Sequence, residues 1–309
     1  MNIMNTSKLK VCFFLFLIAP LFLSAQNSPS GISHSLFIAG PQFTGIVDEA
    51  GDVVWDSKKA GARDGYVLKN GNVLICWGDE VREYNKKKDV ILTYKKSEPS
   101  MELGTAVRLS NGNTLITESG TKPRIVEINK KGKVVKSTPL KPETDNIHMQ
   151  TRMARKLKNG NYLVPHLFAF AVKEYQPDGT VVNTFSTDFE DFGGRDARTW
   201  PFTAIRSKNG NTLVTLTNGN RVVEFNSEGK VIWQIDNSLY DGNPLADPCG
   251  AQRLPNGNTV ITSYGAKEGV KIFEVTPDKK IVWTYNKHKA HHFQVLTTNG
   301  KPIKRKPLK

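Results

Sequence analysis

The stretch KNGNTLVTLTNGNRVVEFNSEGKVIWQI, residues 208–235, decides the fold, because the chain writes it more than once. SNGNTLITESGTKPRIVEINKKGKVV (110–135) and PNGNTVITSYGAKEGVKIFEVTPDKKIVW (255–283) carry the same parts in the same order. Asn-Gly pairs mark the units at Asn70, Asn111, Asn159, Asn209, Asn256 and Asn299, with spacings of 41, 48, 50, 47 and 43. (Another pair, Asn218-Gly219, is out of phase.) A period of about 40–50 residues signals a repeat architecture.

Within a unit, a short strand such as TAIRSKNG runs into Asn-Gly and a second such as NTLVTL follows at once. A third, RVVEFN, alternates apolar and polar residues, and a Gly-Lys or Asp-Lys turn leads to a fourth, KVIWQI. Asn-Gly suits a two-residue hairpin in which both central residues take positive φ. Alternation rich in β-branched and aromatic residues is the strand signal. No helical period appears beyond the N-terminal segment. Four-stranded units arranged in a ring make an all-β fold, a β-propeller. The chain ends count the blades. HHFQVLTTNGK (291–301) is a first strand with its turn, whereas SLFIAG, TGIVDEAG and DVVWDS (35–57) supply three strands lacking a first. Together they complete one blade beside five whole units. The expectation is a six-bladed propeller in one domain, 34–303, closed by its C-terminal strand.

The N-terminus reads as a signal peptide. Lys8 and Lys10 precede the apolar run Val11–Ala19, Leu21–Leu23 extends it past Pro20, and small Ser24 and Ala25 come before polar Gln26. That layout predicts cleavage near Ala25, and the run is shorter than the ~20 residues of a spanning helix. Cys12 opens the run, so it is no lipid-modified cysteine. The mature chain is therefore expected to be periplasmic or secreted, free of the membrane and monomeric. Loss of 25 residues leaves 309 − 25 = 284, and loss of two lysines lowers the net charge from +14 to +12. A basic balance favours acidic partners. For an exported protein these are an acidic oligosaccharide or a sulfated small molecule, not nucleic acid. Many lysines, including Lys86–Lys88, Lys130–Lys133 and Lys279–Lys280, fall at hairpin tips, where solvation accounts for them. Export permits a disulfide, but Cys76 and Cys249 lie in distant repeats and read as buried thiols.

The phrases NGNTLI (111–116), EVTPDKKIVW (274–283) and EFNSEGKVIW (224–233) resemble the blade motifs of the quinoprotein-like and arylsulfotransferase-like bacterial propellers. The resemblance spans nearly the whole mature chain. It implies architecture, since a propeller hosts many functions. From the arylsulfotransferase side it also implies a histidine nucleophile with histidine and arginine neighbours, and from the quinoprotein side a quinone-dependent dehydrogenase.

The Asn-Gly and Gly-Lys turns share one face and are short and alike. The opposite face receives long, dissimilar connections: LKPETDNIHMQTR (140–152), STDFEDFGGRDARTWP (186–201) and DNSLYDGNPLADPCG (236–250). Variable loops on a rigid scaffold are where function concentrates, and first strands converge there on an axial pocket. Five positions before each Asn stand Gly65, Ala106, Ala154, Ala204, Ala251 and Gln294. Seven before stand Arg63, Gly104, Arg152, Phe202, Cys249 and His292. Small residues crowd the axis, and polar ones appear toward the mouth.

The candidates for acid–base chemistry are His148, His166, His292 and Tyr264. Those for substrate binding are Arg63, Gln150, Arg152, Arg198, Trp200 and His291. Trp77 reads as a second stacking platform, and His34 as a further histidine at this face. His288 reads as a loop residue, and Trp55, Trp233 and Trp283, at equivalent fourth-strand positions, as packing. Arginines suit carboxylate or sulfate in bidentate fashion. A histidine with a tyrosine suits removal of a proton beside a uronate carboxylate. No carboxylate pair of the glycosidase type stands out. No metal is expected, because no close His-x-His or Cys-x-x-Cys pair occurs and neighbours 291 and 292 point to opposite sides of a strand. No cofactor is called for. The leading reading is binding and lyase-type processing of an acidic carbohydrate. The alternatives are sulfuryl transfer and a non-catalytic propeller that binds protein or glycan.

Overall fold

The computed structural model describes residues 25–98 and 101–303. The expected signal segment, apart from Ala25, lies outside the described residues. Among the described residues no helix is long and apolar enough to cross a membrane. Six antiparallel sheets, each built on four strands, form the ring. Blade 1 is the composite: the C-terminal strand His292–Thr298 pairs with His34–Ala39, which pairs with Thr44–Val47 and then Val53–Asp56. The inner strands of blades 2 to 6 are Asp64–Val67, Glu102–Arg108, Arg155–Lys156, Thr199–Arg206 and Ala251–Arg253. Between neighbouring blades lie buried clusters such as Leu163, Val172, Val214, Leu216 and Phe225. Burial of about 25 cal/mol per Å2 of such apolar surface is the main force holding blade to blade.

The Asn-Gly turns differ from expectation. Only Asn299 takes positive φ (48°) among the six marker asparagines, whereas Gly71, Gly112, Gly160, Gly210, Gly257 and Gly300 all do. In blade 2, Gly71 N–H donates to Leu68 O at 2.9 Å and Leu68 N–H to Asn72 O at 2.7 Å. This is a type I turn followed by a left-handed glycine, the three-residue hairpin with a bulge. The marker asparagine turns its side chain inward, and Asn70 Oδ1 accepts from Asn72 N–H at 3.1 Å.

The repeated phrase has a second purpose, visible only in three dimensions. In four blades the asparagine after the glycine donates to a glutamate on the third strand of its own blade: Asn72 to Glu83, Asn161 to Glu174, Asn211 to Glu224, Asn258 to Glu274. The same glutamates receive a basic residue from the next blade. Arg108 pairs with Glu83, Arg206 with Glu174 at 3.3 Å, and Arg253 with Glu224 at 2.6 Å. Lys156 pairs with Glu127 likewise. At the closing seam His34 takes that place, with Nε2 2.6 Å from Glu274. Between blades 1 and 2 the clamp is missing, and Ile46, Trp55, Val67 and Leu296 pack there instead.

The seam is further stapled by the N-terminal strand Gln26–Asn27, a fifth strand on blade 6. The fold thus begins before residue 34. Gln26 Nε2 donates to His34 O (2.8 Å), and Gln26 Oε1 accepts from His34 N–H (3.0 Å) and Trp283 Nε1 (2.8 Å). His34 is fully buried at this seam and does not reach the mouth. Cys76 and Cys249 are buried free thiols.

Candidate functional site

The three long connections each fold as short 3-10 turns, Ile147–Met149, Glu190–Phe192 with Gly194–Ala197, and Asn237–Leu239. Beneath them a run of contacts passes through all six blades. His291 of blade 1 donates Nδ1–H to Ala62 O at 3.0 Å, and its ring stacks on Tyr264 of blade 6 at 4.2 Å. On blade 5, Phe202 lies parallel to His291 at 6.2 Å, and the Arg152 guanidinium of blade 4 sits 5.9 Å from the Phe202 ring. Arg63 of blade 2 pairs with Glu102 of blade 3 at 2.8 Å, and Glu102 accepts from His148 Nδ1, in the loop before blade 4, at 3.1 Å.

The electrostatics of this ring are uneven. Glu102 is held down to about 2 by the His148 hydrogen bond and the Arg63 charge, against the opposing effect of burial. It is therefore ionised at any physiological pH. Arg152 is 3% exposed. Its Nη1 donates to Thr151 O at 2.8 Å, and among the described residues no carboxylate lies within ion-pair distance of it. Burial and the like charge of Arg63 depress it to about 10. His291 is pushed down to about 4 by burial, then by the charges of Arg152, Arg63 and His148, against its bond to the Ala62 carbonyl. It is neutral at pH 7, and because Nδ1 donates to Ala62, Nε2 carries the lone pair. Tyr264 is raised by burial and stays protonated.

A buried layer lies below. Arg155 reaches from blade 4 to Asp64 of blade 2 at 3.3 Å, and donates to Thr105 and to Ala154 O at 2.9 Å each. Asp64 also accepts from Thr105, and His292 Nε2 is 3.7 Å from it. Burial alone would raise the Asp64 carboxyl, but Arg155, His292 and Thr105 hold it low.

The structure therefore brings together Arg63, His148, Arg152, Tyr264 and His291 and sets other candidates apart. His166 is fully buried, with Nε2 2.8 Å from Tyr175 Oη and Nδ1 3.2 Å from Gln150 O. Burial drives it down to about 3, so it is a neutral packing residue. His292, 1% exposed, belongs to the layer beneath and stacks edge-on to Tyr66 at 4.9 Å. Gln150 is 3% exposed and staples the loops, bonding both Gly120 N–H and Gly120 O. Arg198 is exposed and holds a left-handed φ of 52°. Trp200 is half-buried beside Phe168, with ring centroids 5.2 Å apart, and joins Met149 and Phe202 in an apolar wall. Trp77 is buried, with its indole N–H bonded to Lys59 O at 3.3 Å, so it packs and forms no rim. Glu102 holds Arg63 and His148 in the upper layer and Arg155 holds Asp64 in the lower, and the sequence reading places neither among the site residues. The signal for Arg155 was a charge at an inner-strand position that the uncharged Tyr66, Val107, Ile205, Gln252 and Val295 fill elsewhere. Among the described residues no group of three or more His, Cys, Asp or Glu is arranged to hold a metal ion.

Residues 37–242 match the Mal s 1 allergenic protein-like family, and the chain belongs to it. No curated protein matches the chain in sequence. Among solved structures the chain is similar to a protein of unknown function from Bacteroides caccae, with a TM-score of 0.75 and 21% identity, covering 88% of this chain and 100% of that one. It is also similar to the virginiamycin B lyase of Staphylococcus aureus, solved as a catalytically inactive variant with quinupristin. There the TM-score is 0.58 and the identity 13%, over 84% of this chain and 87% of that one. At these identities the likeness is one of fold, and the resemblance read from the blade motifs holds at the level of the propeller.

Proposed function

We propose that this member of the Mal s 1-like family binds an acidic carbohydrate at its axial mouth and acts on it as a lyase. The observation that carries the reading is Arg152, a buried guanidinium without a carboxylate partner beside Arg63 and neutral His291. A buried charge is costly unless paired. An incoming carboxylate or sulfate supplies the pair in bidentate form. Arg63 shares its charge with Glu102 and adds attraction from blade 2. The half-buried Trp200 and Tyr264 offer faces for a sugar ring.

In the elimination, His291 Nε2 takes the proton from the carbon beside the carboxylate. The electron pair forms a carbon–carbon double bond, the glycosidic carbon–oxygen bond on the next carbon breaks, and Tyr264 Oη gives its proton to the leaving oxygen. A base that is neutral at working pH and an acid still protonated there are the two states this step needs. Export, expected from the N-terminal segment, would place the protein where such polysaccharides occur.

The test is thermal unfolding against uronic-acid, sulfated and neutral oligosaccharides, since a ligand of the native state raises the melting temperature. Acidic sugars should raise it and neutral ones should not, and Arg152→Met should remove the effect. Ultraviolet absorbance should then report an unsaturated product, lost in His291→Ala. Stabilisation without product would leave a glycan-binding module, and no stabilisation by any acidic sugar would sink the reading.

A further inference from the structure

The face opposite the mouth is uniform in shape but not in charge. In blade 2 the turn Asn85–Asp89 carries Lys86, Lys87 and Lys88, and in blade 3 the turn Asn129–Lys133 carries Lys130, Lys131 and Lys133. All six are exposed. Among the described residues none of them makes an ion pair. The one acid in these two turns, Asp89, already accepts from Asn85 at 2.9 Å. Lys88 has a more distant neighbour in Asp56, which Lys58 holds at 3.0 Å.

The two turns stand on neighbouring blades. Lys86 folds over Gly71 and Lys130 over Gly112, so that a Cβ on either glycine would meet the lysine Cε at 2.5 and 3.4 Å. Gly132 of blade 3 lies against the blade 2 outer strand, its added Cβ falling 3.6 Å from Thr93 O. Blades 5 and 6 are different. Their corresponding turns hold acids of their own, with Lys230 3.7 Å from Glu228 and Lys280 3.0 Å from Asp278, which leaves Lys279 of blade 6 over. Solubility alone gives no reason for that asymmetry.

We propose that the tips of blades 2 and 3 form a docking surface for a linear polyanion, an acidic polysaccharide, apart from the mouth. A run of unpaired lysines attracts charge that repeats along a chain, without reading its sequence. The tips hold only Lys, Asn, Gly, Ser and Asp. They lack the aromatic platforms on which nucleic-acid bases stack.

The experiment measures binding of the mature chain to heparin and to polygalacturonate across a salt series. Lys86→Gln, Lys87→Gln and Lys88→Gln together should weaken binding about tenfold at low salt, a sum of surface pairs worth up to ~1 kcal/mol each, and should flatten the salt dependence. The control removes the same three charges elsewhere, as Lys230→Gln, Lys279→Gln and Lys280→Gln, and should stay within about twofold of the parent. The Lys86, Lys87 and Lys88 triple variant should keep the parent's thermal shift with a short uronic-acid oligosaccharide, which keeps this surface distinct from the mouth. Equal loss in both triple variants would reduce the effect to net charge and overturn the proposal. So would absence of binding, or stronger binding to duplex DNA or to vesicles of anionic phospholipid.

Discussion

Arg152 and Arg155 stand three residues apart before and in the inner strand of blade 4, and each is 3% exposed. Arg155 is engaged with Asp64, Thr105 and Ala154, joining blade 4 to blades 2 and 3. Arg152 has the carbonyl of its own neighbour Thr151. The lower layer holds its counter-charge in Asp64, although Arg155 Nε and Nη2 are buried without a hydrogen-bond partner, while among the described residues Arg152 has no carboxylate within ion-pair distance. Burial alone therefore does not separate a structural charge from a functional one. What separates them is whether the protein has already supplied the counter-charge.

The sharpest way to break the comparison is Arg155→Leu, which strands Asp64 in the interior. Loss of one member of a buried pair costs ~3–5 kcal/mol, and chemical denaturation should show a drop of that size. Arg152→Met should not lower the melting temperature, because it removes a charge that has no partner; a large loss would place Arg152 with the structural layer. Acid gives the next effect. His166 and His291 stay neutral until about pH 3 and 4, whereas unfolded histidine takes its proton near 6.5. The unfolded chain thus binds more protons in that window, and stability present above pH 6.5 is lost as pH falls through it. His166→Gln should make the melting temperature less sensitive between pH 6.5 and 4. The smallest effect belongs to the half-exposed clamps: Arg206→Leu should cost only ~1 kcal/mol, visible as a small shift in the denaturation midpoint.

The ring was legible in the sequence because its cause is periodic. Asn-Gly spacing fixes the hairpins, and the orphan strands at the two ends fix the closure. The clamp was written in the same phrase, as the second asparagine of NGN and the glutamate of RVVEF, but its partner comes from the next blade and cannot be seen along one strand. The site was legible as an address. Counting back from Asn-Gly found Arg63, Arg152 and, one step further out, His291, and a long loop pointed to His148. Counting could not tell His291 from His292, since adjacent residues of a strand face opposite ways and one of the two sinks into the layer beneath. Nor could it place His166, whose surroundings depend on Tyr175 and Gln150.

The missing clamp between blades 1 and 2 makes one join of the disc unlike the other five. Four joins carry a glutamate paired with an arginine or lysine, and the seam a glutamate that meets a histidine. The remaining join has Ile46, Trp55, Val67 and Leu296 at that place. Removal of one charge therefore has a target at four joins, whereas at the join of blades 1 and 2 only a loss of apolar volume has one there. A ring of near-identical pieces thereby carries one join of a different chemistry.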